Sequence, residues 1–156
     1  MRTSTIRDVM DGLTEDLGFL LARVSAEVTR ATNAALAEAG LRVRQYSVLA
    51  LASDTPGGAT QRDLAQLLGL DPSQVVALVD ELAAAGLVSR SAPAADRRTR
   101  VVAATEAGRQ ARECAAALAQ RAVGASLQAL TGDDQAALRA LLSRVLAGSE
   151  PAGPGK

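Results

Sequence analysis

A chain of 156 residues, 48% hydrophobic and 22% charged, has the size and apolar content of one compact folded unit. It holds no histidine, one cysteine (Cys114), one lysine (Lys156) and two aromatic residues, Phe19 and Tyr46, which excludes His-based nucleophiles and bases, His-containing zinc centres, a Walker A phosphate loop and an aromatic platform for single-stranded nucleic acid. Seventeen cations balance seventeen anions, so the whole surface cannot be basic, yet six arginines (90, 97, 98, 100, 109 and 112) face only Asp96 and Glu106 within 90–112.

The N-terminal stretch MRTSTIRDVMDG lacks the apolar segment of a secretory signal, and no run reaches the roughly 18 apolar residues of a membrane span, so a cytoplasmic protein is expected. From Leu13 to Ala39 the apolar positions Leu13, Leu17, Leu20, Val24, Val28, Ala31 and Ala35 recur at helical spacing and predict one long amphipathic helix ended by Gly40. Val43 to Ala52 reads as a second, short helix before the break SDTPGG. Thr60 and Asp63 form a capping-box pattern opening a helix over Gln61–Leu68, which Gly69 closes. Asp71, Pro72 and Gln74 then supply a cap, a first-turn proline and a return partner for a helix running to about Ala85. Two helices joined by Gly69-Leu70-Asp71 are the sequence form of a helix-turn-helix.

After Gly86, β-branched flanks at Val88 and at Val101-Val102 surround an arginine-rich tip and predict a β-hairpin. Thr105 caps a helix expected to reach Leu130. Thr131, Asp133 and Asp134 cap a last one through Leu146, with Leu138, Leu141, Leu142 and Val145 on its apolar face. The final GSEPAGPGK has no apolar pattern and reads as unstructured.

This order of elements resembles the MarR family of winged helix-turn-helix transcriptional regulators. The resemblance is carried by Leu64-Ala65, Asp71-Pro72-Ser73, Leu78-Val79-Asp80-Glu81-Leu82, Gly86-Leu87-Val88 with Arg90, Asp96-Arg97-Arg98, Thr105-Glu106-Ala107-Gly108 and Leu130-Thr131-Gly132-Asp133-Asp134. It implies a mainly α fold: a winged helix-turn-helix with a two-stranded β wing and long N- and C-terminal dimerisation helices. The DNA-binding lobe would span 41–104, the helical dimerisation region 13–40 and 105–147, and a flexible tail 148–156.

In a protein of that kind the helix from Pro72 lies in the major groove, with Ser73 and Gln74 nearest the base edges and Ala77 or Val76 able to meet a thymine methyl. The family often carries Thr and Arg where this chain has Val76 and Ala77, and a basic residue where it has Glu81, so base readout would be thinner and DNA shape would matter more. The resemblance places Arg98 in the minor groove, oriented by Asp96, with Arg97 and Arg100 on phosphates. By analogy with the family, Arg44 and Arg62, which open the second and third helices, are further phosphate candidates, with plain surface solubility as their other reading. Arg90 would either join them or brace the wing. Gln74 has a second reading as a helix cap alone.

Relatives of this family release DNA when a small amphipathic or phenolic molecule binds between the dimerisation helices and the DNA-binding lobe, and the candidates here are Phe19, Arg23 and Tyr46. A core role competes for the two rings. Redox-sensing relatives use a cysteine near the start of the first helix; Cys114 lies elsewhere and reads as buried or inert. Neither metal nor cofactor is expected, and no enzymatic activity: Asp133 and Asp134 are explained by capping. The competing function is a winged-helix module whose arginine wing meets an acidic protein instead of double-stranded DNA.

Overall fold

The computed structural model describes residues 13–92 and 100–149. Its first feature departs from the sequence reading. Asp16 Oδ1 accepts the Phe19 N–H at 2.7 Å, and this cap divides the expected 13–39 helix: residues 14–16 turn, and α1 runs over Leu17–Leu36. One 3-10 turn, Ala37–Ala39, follows before Gly40 reverses the chain in the left-handed region at φ 67°.

Helix α2 (Val43–Asp54) extends two residues past the expected end at Ala52. Its first amide is satisfied from outside, since the Val43 N–H donates to Asn33 Oδ1 of α1 at 2.8 Å. A two-residue strand β1 (Ala59–Thr60) comes next and was not foreseen. Thr60 then caps α3 (Gln61–Leu68): its Oγ1 accepts the Asp63 N–H at 3.1 Å and donates to Asp63 Oδ2 at 2.7 Å. Helix α4 (Pro72–Ala84) starts from the Asp71 cap as expected. Strands β2 (Val88–Ser91) and β3 (Val101–Ala104) form the antiparallel wing, and β1 adds to β3, giving the order β1-β3-β2.

Helix α5 covers Glu106–Ser126, stopping short of Leu130, and α6 covers Gly132–Ser149. Gly148 and Ser149 are therefore helical where a tail was expected, because nothing in Leu146-Ala147-Gly148 breaks the ladder; residues 150–156 lie outside the described residues. Among the described residues no helix is long and apolar enough to cross a membrane.

One core joins these elements. Leu36 of α1, Val48 and Leu49 of α2, Leu64 of α3, Val75, Val79 and Leu82 of α4, Val102 of β3 and Ala115 of α5 are buried within it. Helix α4 thus fixes its inward face by the apolar spacing 75, 78, 79 and 82. The wing is tied to α5 through Thr105 and Arg109: Thr105 Oγ1 accepts the Gly108 N–H at 3.0 Å and donates to the Gly86 carbonyl at 2.7 Å, and Arg109 Nη1 donates to the Ala104 carbonyl of β3 at 3.0 Å. Gly108 packs so closely there that a Cβ would stand 1.9 Å from the Leu87 carbonyl oxygen.

Helix α6 is different. None of residues 132–148 is buried, and Leu141, Leu142, Val145 and Leu146 are exposed, as are Leu17, Leu20, Leu21 and Val24 on the first half of α1. Large contiguous apolar faces of this kind are normally covered.

Three carboxylates at helix starts titrate low. The Ser73 hydroxyl and amide hold Asp71 below its ordinary value, Arg109 does so for Glu106, and the Thr131 hydroxyl and amide for Asp134. Each folded-state value lies below the unfolded one, so the stabilisation is present above the unfolded value and lost as pH falls through the folded one. We expect thermal stability to decline as pH drops below about 4, with Asp134→Asn flattening that decline. An unchanged acid limb in this variant would remove Asp134 from the account.

Candidate nucleic-acid interface and effector cleft

The start of α4 is rigidly built. Asp71 Oδ1 accepts from the Ser73 N–H at 2.8 Å and the Ser73 hydroxyl at 2.5 Å, while the Asp71 N–H donates to Gln74 Oε1 at 3.2 Å. Gln74 therefore spends its oxygen on the cap, and a bidentate adenine contact, which needs both amide atoms, would require it to let go. Pro72, Ser73, Gln74, Val76 and Ala77 are all exposed on the side away from the core, Val76 at 41%.

This helix also carries two carboxylates that would repel phosphate. Both are paired. Arg90 Nη2 on β2 donates to Asp80 Oδ1 at 2.5 Å, and Arg42 Nη2 donates to Glu81 Oε2 at 2.7 Å, where Gln45 Nε2 also donates at 2.8 Å. Arg90 thus ties β2 to α4 by an ion pair. Of the six arginines within 90–112, Arg109 and Arg112 are also engaged internally, with Glu106 at 2.6 Å and Asp54 at 2.7 Å. Arg100 is exposed at the foot of β3, and Arg44 and Arg62 are exposed in the first turns of α2 and α3. Asp96, Arg97 and Arg98 lie outside the described residues.

A cleft of about 480 Å³ opens between α1, the start of α2 and α4, lined by Thr29, Asn33, Arg42, Val43, Arg44, Gln74, Ala77, Leu78 and Glu81. Gln74, Ala77 and Glu81 therefore face this cleft along one stripe of α4. Phe19, Arg23 and Tyr46 do not line it. Phe19 and Arg23 sit ten and six residues before Thr29 on α1, about 15 and 9 Å along the axis at 1.5 Å per residue. Tyr46 is half-buried and packs on the core. The structure does not bring the three together here. Sequence reasoning missed Arg42 and Glu81, although the helical spacing 74, 77, 81 could have grouped Glu81 with the other two. Cys114, expected to be buried or inert, is exposed, because α5 turns Ala115, Leu118 and Ala119 inward instead.

Residues 39–99 match the profile of the MarR family. A transcriptional regulator (MarR family) from Rhodococcus sp. RHA1 superposes with a TM-score of 0.81 at 44% identity, covering 85% of this chain and 94% of that one. The chain belongs to the MarR family. This MarR-family regulator is also similar to CouR from Rhodococcus jostii RHA1, whose structure is bound to p-coumaroyl-CoA, with a TM-score of 0.81 and 41% identity over 92% of this chain and 98% of that one. The HTH-type transcriptional repressor Rv2887 of Mycobacterium tuberculosis is 29% identical over 136 residues, 86% of this chain and 97% of the relative. Its complex with DNA has a TM-score of 0.69 and 27% identity over 83% of this chain and 97% of that one, and it is known in complex with salicylic acid.

Proposed function

We propose that the protein is a sequence-specific, double-stranded DNA-binding transcriptional repressor that acts as a homodimer on a palindromic operator in the cytoplasm and is released by a small anionic effector. The observation that carries the proposal is the outer face of α4. Ser73, Val76 and Ala77 stand clear of the core, and the two carboxylates beside them are neutralised by arginines. A helix so arranged can enter a major groove without paying phosphate repulsion.

The lobe 41–104 does the reading. Pro72, Ser73, Gln74 and Ala77 meet base edges; Arg44, Arg62, Arg97 and Arg100 meet phosphates; Arg98, steadied by Asp96, enters the minor groove; Arg90 holds the wing against α4. The segments 13–40 and 105–147 join two copies, with the apolar faces of α1 and α6 as the contact. DNA binding, not catalysis, is the function of this site.

The cleft is the effector site in place of one built on Phe19, Arg23 and Tyr46. Its volume suits a drug-sized ligand, and Arg42 and Arg44 suit an acid. The CouR and Rv2887 ligands, p-coumaroyl-CoA and salicylic acid, are aromatic and anionic, which supports the same class here.

The test is binding to DNA upstream of the protein's own gene at two salt concentrations, against a scrambled duplex and a random duplex library. Saturable, sequence-selective and steeply salt-dependent binding is expected. Failure against the whole library would move the function to a protein-interaction module. On the selected site Arg98→Ala should weaken binding by about 1 to 3 kcal/mol, and an unchanged affinity would take the wing out of DNA recognition.

A further inference from the structure

Among the described residues one ion pair spans the cleft, and it joins the scaffold wall to the recognition helix. Arg42 Nη2, at the start of α2, donates to Glu81 Oε2 of α4 at 2.7 Å, and both residues line the cleft. Both side chains are substantially exposed, 64% and 47%, so the pair is weak and exchangeable. By contrast, the pair that holds Asp80 stands outside the cleft lining, on the wing side, with Arg90 only 29% exposed.

We infer that Glu81 is a built-in competitor for the effector: a ligand anion takes Arg42 from Glu81 and so leaves an unpaired carboxylate on the helix that faces DNA. The inference rests on the proposed role of the cleft and α4 and adds the charge trade that links them. A carboxylate or phosphate on the ligand accepts the same guanidinium N–H groups that Glu81 accepts now, with Arg44 beside them as a second cation. Gln45 Nε2, 2.8 Å from Glu81 Oε2, remains as a neutral donor and does not replace the lost charge. One arginine then serves the ligand or the helix but not both, which is a negative coupling between effector and DNA, reciprocal by necessity. It operates without any change in lobe spacing. It also selects for charge, since a neutral ligand of the same shape has nothing to offer Arg42 against Glu81.

The experiment titrates salicylate and its neutral analogue salicylamide into the full-length wild type, Glu81→Gln and Arg42→Gln by calorimetry, and repeats the salicylate titration on each protein's complex with its selected duplex. Glu81→Gln should bind salicylate about two- to fivefold tighter, the loss of one exposed competing ion pair, with salicylamide affinity unchanged. Arg42→Gln should lose salicylate binding. Saturating salicylate should lower DNA affinity less in Glu81→Gln than in the wild type. Equal salicylate affinity in wild type and Glu81→Gln overturns the inference. So does equal tightening for both ligands, which would signal a structural effect, or a lack of salicylate binding to either protein. If the wild type bound no duplex, the proposed function would fail, while the titrations without DNA would still decide whether Glu81 competes for Arg42.

Discussion

Gly108→Ala is expected to destabilise the fold by about 3 kcal/mol and to lower Tm by about 6 to 12 °C. The added Cβ would meet the Leu87 carbonyl oxygen at 1.9 Å and the Leu87 carbonyl carbon at 2.9 Å, both backbone atoms, with Leu49 Cδ1 at 3.3 Å behind them. Rotation of a side chain cannot relieve that contact. The Leu87 carbonyl also accepts the Thr105 N–H at 3.0 Å, so moving it away disrupts the joint between wing and α5. Gly124 of the same helix has nothing within 4 Å of its Cβ position, so Gly124→Ala should be neutral or stabilising by up to about 1 kcal/mol. Thermal melts of the two variants side by side test the argument. A Gly108→Ala protein melting with the wild type would show that the helix can slide on the wing.

The second large effect concerns assembly. Leu142 and Leu146 lie one helical turn apart on α6, 42% and 71% exposed, and substitution of exposed residues ordinarily changes the stability of a single chain by less than about 0.5 kcal/mol. If they are buried between two copies, paired glutamates place four charges in one apolar seam. The double variant Leu142→Glu/Leu146→Glu should therefore sediment as a monomer at micromolar concentration, where the wild type sediments as a dimer. Loss of the linked second half-site should then reduce operator affinity by about a hundred- to ten-thousandfold. A variant that remains dimeric would place the interface on another surface.

What could be read in the sequence was what is settled within a few residues. Thr60 with Asp63, Asp71 with Gln74, and Gly69 at the helix end each act on amides or dihedrals nearby, and the structure has all three where the local pattern put them. The β-branched flanks at Val88 and Val101-Val102 predicted the hairpin, and the family order of motifs identified it with a wing. What stayed hidden depends on distant partners. The start of α2 is capped by Asn33 across a separation of 10 residues, and Arg42 finds Glu81 across 39. Strand β1, at two residues, is too short to show any alternation, and its existence is decided by β3. Asp16 caps α1 inside an apolar period that runs unbroken through both sides of it, so the periodicity alone does not show the break. Phe19, Arg23 and Tyr46 stand outside the cleft lining for a related reason. Rings and charges on α1 and α2 can be listed from sequence, whereas the wall they share with α4 exists only after packing.

Thr60 ends β1, where it pairs with Val101, and is also the residue whose hydroxyl starts α3. Strand register and helix phase therefore meet in one residue with no slack between them. One extra residue inserted after Thr60 would rotate α3 by about 100° if the strand pairing held, turning Leu64 out of the core; if α3 held its place, the ladder to Val101 would slip and invert the strand's inward face. The loop before it, with Gly57 and Gly58 at positive φ, carries no such double duty. Natural length variation among close relatives should accordingly collect on the N-terminal side of Ala59 and stop there.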